Sequence, residues 1–431
     1  MYGNHQESFI RKYIFSTDHK WIGIQYGVTG LVFLLFGFVL MIIMRYQLAY
    51  NGNTGLEKDI LSPDMYNALG AMHGTIMIFL GVVPLIVGAF GNYLVPLQIG
   101  APDMAFPKLN MASYWFFFMG GVVMLGSFFL PDQLPPHSGW TSYVPLATLS
   151  SGHAQSLWLF GIVLLITSSL LGAINVIVTI IQLRVPGLTW MRLPFFIWAQ
   201  LVSAFILLLA FPPLEIAGLL QLLDRVLSTH FFDPYMGGSV LLYQHLFWFL
   251  AHPEVYVLIL PAMGIVSEVI ANNIRKPLWG YKSMVYSSLW LGFMSFIVWA
   301  HHMFLTGMGP TMSSFFQITT MIISVPSVVI LTCLLISLWG GSIRFNTPML
   351  FALSFLPMFA IGGLTGLPLG LATSDIHLHD TYYVIGHFHY VVAPGTIFAI
   401  FAGLYFWFPK ITGKTMNESL GKIHFWGSLV C

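Results

Sequence analysis

The stretch Tyr243–Tyr256, YQHLFWFLAHPEVY, places three side chains that bind metals or transfer protons inside an apolar run. An ionisable group at the centre of a bilayer costs at least ~2.5–3.5 kcal/mol, so each one needs a partner or a function. His252 and Tyr256 are four residues apart and share a helix face, whereas Glu254 points about 200° away from His252. One helix therefore offers an imidazole and a phenol to one site and a carboxyl to another. A hydrogen-bonded polar cluster is the alternative interpretation of these three residues taken alone.

The composition is that of an integral membrane protein. Of the 431 residues, 57% are hydrophobic and 7% are charged, compared with about 25% charged residues in a soluble domain. Runs of about 20 apolar residues predict membrane-spanning helices. The predicted spans cover 22–44, 67–95, 111–130, 156–183, 193–222, 241–271, 284–305, 315–339, 349–370 and 383–409, and an eleventh opens at 423. Because the connections are short, we expect an all-α polytopic helix bundle that forms a single domain over 1–431.

The cysteine count and the charge exclude several kinds of protein. Two cysteines, Cys333 and Cys431, exclude a disulfide framework, a thiolate iron–sulfur cluster and covalent C-x-x-C-H heme attachment. Any bound metal therefore depends on the 15 histidines. A net charge of +1 without a basic run gives no indication of nucleic-acid binding. The polar N-terminal segment leads directly into the first span, so we expect no cleavable signal peptide.

The distribution of Lys and Arg predicts the orientation. These residues concentrate in the N-terminal segment and in every second connection, while the opposite side has only Arg45, Lys58 and Arg225. The positive-inside rule then places the N-terminus in the cytoplasm or in the equivalent inner compartment.

With this orientation, six histidines from four predicted helices fall in the outer half of the bilayer. They are His73, His252, His301, His302, His387 and His389. A random scatter of core histidines does not sort to one depth in this way, so the set indicates bound cofactors.

The spacing of these histidines suggests which of them act together. His387 and His389 are two residues apart and leave their helix on nearly opposite faces, which suits two cofactors on either side of it. His301 and His302 are about 100° apart and can reach one ion together with His252, and three imidazoles suit copper, zinc or iron. His73 can pair with one span-ten histidine across a planar cofactor. The pattern predicts two hemes and one copper ion.

At these residues the sequence resembles subunit I of the heme–copper oxidases, and within that superfamily the A-type cytochrome c oxidases. The matching motifs follow one another over nearly the whole chain: GNYLVPLQIGAPDMAFPKLN (Gly91–Asn110), HPEVY (His252–Tyr256), HHMFLTGM (His301–Met308) and LHDTYYVIGHFHYV (Leu378–Val391). The resemblance implies a terminal respiratory oxidase that reduces dioxygen to water and couples the reaction to proton uptake and pumping. It also implies cytochrome c as electron donor, a subunit II with a dinuclear copper centre, and a subunit III.

The resemblance assigns the metal ligands at matching positions. It implies a low-spin heme held by His73 and His389 and a high-spin heme held by His387, both of the heme A type. The copper ligands it implies are His252, His301 and His302. Tyr256 would be cross-linked to His252 and would supply an electron and a proton to dioxygen.

Further positions match residues around the cofactors in the family. Arg45 matches an arginine near the formyl group of the low-spin heme. Trp140 matches a tryptophan near the heme propionates, although an ordinary interfacial aromatic is an alternative. His379 and Asp380 match the ligands of a magnesium ion.

The resemblance also implies a proton path that begins at Asp103 and supplies Glu254, which passes protons to the copper site and to a pump site. A solvated loop aspartate is the alternative for Asp103. The residues that match the lining of this path are Asn92, Asn110, Asn175, Ser168 and Ser169.

The sequence departs from the family in two places. A second family proton path uses a lysine in span eight, where this chain has Ile330. Thr320, Ser324 and Ser327 still form a polar line at i, i+4 and i+7, which predicts a route through hydroxyls and water. The chain also stops at Cys431, before a further family helix and an arginine pair for the propionates, so we expect a C-terminally incomplete subunit. His377 replaces an apolar residue of many relatives, and nothing in the sequence explains it.

Three alternatives to the cytochrome c oxidase remain at this point. A quinol oxidase of the same superfamily differs in its electron donor, which these residues do not define. A nitric oxide reductase would have added glutamate ligands, whereas Glu254 faces away from His252 and Tyr256 favours oxygen chemistry. A non-enzymatic proton channel has no use for His387 and His389 on opposite helix faces.

Overall fold

The structure is a computed structural model that describes residues 8–50, 59–131, 134–150 and 152–431. Lys58, which the orientation argument counts, lies outside the described residues. The described residues form helices and turns and contain no β-strand.

Ten helices of the described chain are long and apolar enough to cross a membrane. We name them spans one to ten in chain order. They are His19–Ala49, Pro63–Ile99, Pro107–Phe129, His153–Gln182, Phe195–Val226, Val240–Ile274, Tyr281–Thr306, Gly309–Leu338, Thr347–Leu369 and Tyr382–Thr412. The predicted polytopic all-α fold is confirmed, with ends that differ from the predicted ones by a few residues. The segment predicted to open at 423 is a helix over Glu418–Val430.

Side-chain caps start several of these helices where the sequence provides them. Asp18 accepts a hydrogen bond from the backbone N–H of Lys20 at the start of span one. Asn346 and Thr381 cap spans nine and ten in the same way. Such caps satisfy N–H groups that have no partner within the helix.

Two spans contain π-helical segments. In span two they cover Ile76–Val82 and Pro84–Gly91, and in span ten Val392–Ile397. The first begins three residues after His73, and the last begins three residues after His389. Segments of this kind are rare and are found mostly at functional sites.

The chain divides into two compact units. The first comprises Met1–Val185 and Phe211–Phe247. In this unit, glycines of span one allow span two to approach closely, since a Cβ added at Gly23 would lie 3.1 Å from the carbonyl oxygen of Ala89. Spans three and four meet in the same manner at Gly120 and Gly161. Small residues at helix interfaces are the usual means of close packing in membranes.

The second unit comprises Pro186–Ala210 and Trp248–Cys431. A Cβ added at Gly264 would lie 2.9 Å from the Cα atom of Phe196, and one at Gly362 would lie 3.0 Å from the backbone nitrogen of Val391. The prediction of a single domain over 1–431 stays a prediction.

The outward faces of the helices are apolar. On span one, Val28, Val32 and Leu35 lie at i, i+4 and i+7 and are 59%, 62% and 64% exposed. Such a stripe fits the surroundings of a lipid bilayer.

Candidate functional site

Three histidines converge at one point in the second unit. His252 lies in span six, while His301 and His302 lie at the end of span seven. One ring nitrogen from each can be chosen so that all three lie within 4.8 Å of one another. The Nδ1 atom of His252 is 3.2 Å from the Nε2 atom of His302. This group fits a copper site, as the spacing of the histidines predicts.

The backbone around His301 and His302 is not the expected α-helix. Residues Trp299–Thr306 form a 3₁₀ helix with a kink at Met303, where φ is −128°. The tighter winding separates adjacent side chains by about 120° rather than about 100°. The two rings still lie 4.2 Å apart between centroids.

Neighbouring side chains fix the orientation of these rings. The Nδ1 atom of His301 is 3.0 Å from the hydroxyl oxygen of Thr320, which leaves the other ring nitrogen available to bind a metal. Trp248 stacks on His302 with centroids 3.8 Å apart and an interplanar angle of 8°. Sequence reasoning assigned Thr320 to a proton route and missed Trp248, because neither contact follows from spacing along one helix.

Tyr256 and Glu254 accompany the histidine group on span six. The rings of Tyr256 and His252 are 5.0 Å apart between centroids. The Nε2 atom of His252 is buried without a hydrogen-bond partner in the described part of the chain, and so is the Oε1 atom of Glu254. Buried polar atoms of this kind call for a bound group or water.

The three histidines predicted to hold hemes have their Nδ1 atoms bonded to backbone carbonyl oxygens. His73 pairs with Gly37 within the first unit, at 2.8 Å. In the second unit His387 pairs with Gly362 and His389 with Ile385, each also at 2.8 Å. A carbonyl only accepts, so Nδ1 carries the proton in each ring and the basic nitrogen is Nε2. This is the tautomer that iron ligation requires.

Glycines of spans nine and ten lie close in sequence or space to His387 and His389. Gly363 and Gly386 are exposed, and an added Cβ at either would meet no atom within 4 Å. At Gly366, by contrast, a Cβ would lie 2.7 Å from the Cε1 atom of His387. The absence of a side chain at Gly366 therefore lets the His387 ring lie against span nine.

Asp103 lies in a polar cluster of the first unit, in the connection between spans two and three. Its Oδ1 atom accepts a hydrogen bond from the backbone N–H of Met104 at 2.6 Å. Burial raises the pKa of the Asp103 carboxyl above its ordinary value, and the Met104 bond and the charge of His19 offset this in part. The Asp103 carboxyl is therefore partly buried and not fully solvated.

The predicted lining residues lie in the same unit, some with hydrogen-bond partners and some without. Asn175 accepts from the backbone N–H of Phe106, at 2.9 Å. Both side-chain polar atoms of Asn110 and the Oδ1 atom of Asn92 are buried without a partner among the described residues. Ser169 is partly buried. These groups fit a path that contains ordered water.

The sequence analysis did not identify two residues of this region, Tyr26 and Ser113. The hydroxyl of Tyr26 lies 3.1 Å from the Oγ atom of Ser113 and 3.2 Å from that of Ser168. Ser168 in turn donates to the carbonyl oxygen of Ser113 at 2.6 Å. Tyr26 and Ser113 both lie in apolar runs. The periodicity of a single helix does not show which neighbouring helix these side chains contact.

His379 lies between two carboxylates in the second unit. Its ring nitrogens are 3.6 Å from an oxygen of Asp375 and 3.6 Å from an oxygen of Asp380. Burial raises the pKa of Asp375, and the charge of His379 offsets this in part. Asp380 has a φ of +58°, a conformation uncommon outside glycine. Carboxylate oxygens suit magnesium, and Asp375 adds a candidate ligand that the sequence did not suggest.

The remaining predicted residues are placed as follows. Trp140 packs on Gly74, next to His73, where a Cβ would lie 3.1 Å from that of Trp140. Arg45 is exposed and lies inside span one, not in the connection after it. Ser327 is partly buried and Ile330 is fully buried in span eight.

Comparisons with known proteins agree with this arrangement. The family model described as "Cytochrome C and Quinol oxidase polypeptide I" matches residues 21–431. The chain is 48% identical over 413 residues to cytochrome c oxidase subunit 1 of Thermostichus vulcanus, covering 96% of this chain and 73% of that protein. It is 45% identical over 418 residues to the subunit 1 of Bacillus subtilis, covering 97% and 66%. For the subunit 1 of Cereibacter sphaeroides the identity is 43% over 446 residues, covering 98% and 79%.

Proposed function

Because the chain belongs to the cytochrome c and quinol oxidase polypeptide I family, it is a heme–copper oxidoreductase subunit of the respiratory chain, and we propose that it reduces dioxygen to water and pumps protons. The observation that carries this proposal is the convergence of His252, His301 and His302 beside Tyr256. A copper ion next to a redox-active phenol suits four-electron chemistry on dioxygen.

In this proposal each bound group has its own ligands. His252, His301 and His302 hold copper, His387 holds the high-spin heme, and His73 and His389 hold the low-spin heme. The hemes are of the A type, and Arg45 and Trp140 interact with their substituents. His379 and Asp380, joined by Asp375, hold magnesium.

Copper held by His252, His301 and His302 and heme iron held by His387 would together supply electrons and a binding place for dioxygen. The Tyr256 phenol holds one further proton and electron close to that place. The short distance between the His252 and Tyr256 rings, together with the unpartnered Nε2 atom of His252, supports the covalent link that the family resemblance implies. The contact of Thr320 with Nδ1 of His301 leaves the other ring nitrogen of His301 available for copper.

Protons enter at Asp103 and are delivered by Glu254. The cluster of asparagine and serine side chains near Asp103 supports uptake, and the unpartnered Oε1 atom of Glu254 supports exchange with water. For reduction of the metal pair, we propose the hydroxyls of Thr320, Ser324 and Ser327 as the route, since Ile330 cannot carry a proton.

Cytochrome c is the proposed electron donor, because the relatives compared above are named cytochrome c oxidase subunit 1. The proposed partners are a subunit II with a dinuclear copper centre and a subunit III. The chain is an integral membrane protein, and we propose that its N-terminus faces the cytoplasm or the matrix.

The test is His302→Ala in the assembled oxidase purified from membranes. We expect loss of the copper ion and a fall of at least about 100-fold in dioxygen consumption, since loss of a ligand costs more than loss of a group that only hydrogen-bonds to a ligand. The low-spin heme spectrum should remain. The exposed His377→Ala serves as the control and should change neither quantity.

Copper content by elemental analysis and the reduced spectrum with and without carbon monoxide provide the readouts. Full copper occupancy in His302→Ala would contradict the proposal. Reduction of the wild-type enzyme by a quinol but not by cytochrome c would favour the quinol oxidase alternative.

A further inference from the structure

Span five carries a carboxyl, Glu215, that the proposed mechanism does not use. It lies about three helical turns before the helix ends at Val226. This position is deep within a segment that crosses the membrane. A carboxyl at such depth is costly when charged and marks a functional site by default.

A hydroxyl on span four is the partner of this carboxyl. The Oγ1 atom of Thr167 lies 2.8 Å from the Oε1 atom of Glu215. The same oxygen lies 2.9 Å from the backbone carbonyl oxygen of Val163, one helical turn earlier. All three residues belong to the first unit.

Counting protons gives the state of the carboxyl. A threonine hydroxyl has one proton, and the Val163 carbonyl can only accept it. If Thr167 donated to both oxygens it would share one proton between them, whereas each contact has its own proton if Thr167 donates to Val163 and Glu215 donates to Thr167. Glu215 is then a carboxylic acid, the form that a bilayer also favours.

The packing around the pair holds it in place and leaves one side open. A Cβ added at Gly218 would lie 3.6 Å from Val163, so the two helices are in contact one turn away. Glu215 itself is partly exposed. Leu219 and Leu223 lie on its helix face at i+4 and i+8 and are 43% and 36% exposed, so Glu215 belongs to the apolar stripe of span five.

We propose that Glu215 is a protonated carboxylic acid at membrane depth and a modification site for hydrophobic carboxyl-directed electrophiles. With a carbodiimide, the carboxyl oxygen bonds to the central carbon and the acid proton moves to one nitrogen, giving an O-acylisourea. Acyl transfer to the nitrogen then gives a stable N-acylurea, without loss of any atom and without a redox change.

The first test treats the assembled oxidase in native membranes with dicyclohexylcarbodiimide and maps the added mass by peptide mass spectrometry. We expect the label on Glu215 and its absence in Glu215→Gln. A water-soluble carbodiimide should label Glu215 at least about 10-fold less. Equal labelling by both reagents, or no label on Glu215, would overturn the proposal.

Infrared spectroscopy provides a second readout that needs no reagent. The carbonyl band of a protonated carboxyl should be lost in Glu215→Gln, shift in Thr167→Val, and stay in place in the matched Thr167→Ser, which keeps the hydroxyl. An unchanged band in Glu215→Gln would show that the carboxyl is ionised, contrary to the proposal. The heme spectrum of each variant checks that it has folded.

Discussion

One hydroxyl group supports the ring of His301. Thr320 lies 3.0 Å from the Nδ1 atom of His301, and removing such a partner of a metal ligand typically costs 10–100-fold in metal affinity. We expect Thr320→Val to weaken copper binding by about that factor and to slow reduction of the metal pair. Thr320→Ser, which keeps the hydroxyl, should behave like the wild type.

Competition with a copper chelator, followed by elemental analysis, measures this effect separately from turnover. Equal copper retention in Thr320→Val and Thr320→Ser would show that the hydroxyl does not support the ligand.

The carboxyl of Asp103 makes the stability of the protein depend on pH. Burial raises its pKa in the folded protein, so the folded state binds this proton more tightly than the unfolded chain does. Its contribution to stability is complete below the ordinary aspartate pKa and is lost as the pH rises through the raised value. Asp103→Asn cannot ionise, so its Tm relative to the wild type should increase from acid to neutral pH.

Thermal unfolding of the detergent-solubilised wild type and variant, each at acid pH and at neutral pH, measures this change. A Tm difference that is the same at both values would contradict the assignment. The same variant should lower proton uptake and turnover sharply, and unchanged rates would remove Asp103 from the proton path.

Span one provides a matched pair of glycines for testing how closely helices must approach. A Cβ at Gly23 would lie 3.1 Å from the backbone oxygen of Ala89, whereas one at Gly27 would meet the Cβ of Ala89 at 3.5 Å, an ordinary contact. We expect Gly23→Ala to destabilise the protein by about 1–3 kcal/mol through overpacking. Gly27→Ala should have little effect.

Chemical denaturation in detergent compares the two variants. If the free energy of unfolding falls equally in Gly23→Ala and Gly27→Ala, the destabilisation comes from the general helix environment and not from the contact with Ala89.

The ten spans were predictable because a long apolar run has few alternatives to a membrane helix. The ends of the spans were less predictable, because caps such as Asp18 and Asn346 extend the helices into polar sequence. Spacing also brought His252, His301 and His302 together correctly. It could not identify the contacts of Thr320 or Tyr26, because helix periodicity gives the face of a residue but not the neighbouring helix that covers it.

The predicted orientation of the chain rests on the positive-inside rule and can be tested directly. Tyr235 is 97% exposed and lies between spans five and six, and Lys414 is exposed after span ten. In a background of Cys333→Ser and Cys431→Ser, we expect Tyr235→Cys to react with a membrane-impermeant maleimide on intact cells. Lys414→Cys should react only after the membrane is permeabilised, and the reverse pattern would contradict the predicted orientation.

The π-helical turns that follow His73 and His389 have a consequence for how this chain tolerates insertions and deletions. Each i→i+5 hydrogen bond encloses one more residue than an α-helical bond does, so the helix beyond it is rotated relative to the part that carries the histidine. In span two, the direction in which the Asn92 side chain leaves the helix therefore depends on the π-helical segments within Ile76–Gly91 as well as on its position in the sequence. Loss of one residue there would leave His73 untouched and turn the asparagine away from its neighbours, so a single helix would keep the proposed iron ligand and lose a residue of the proposed proton path.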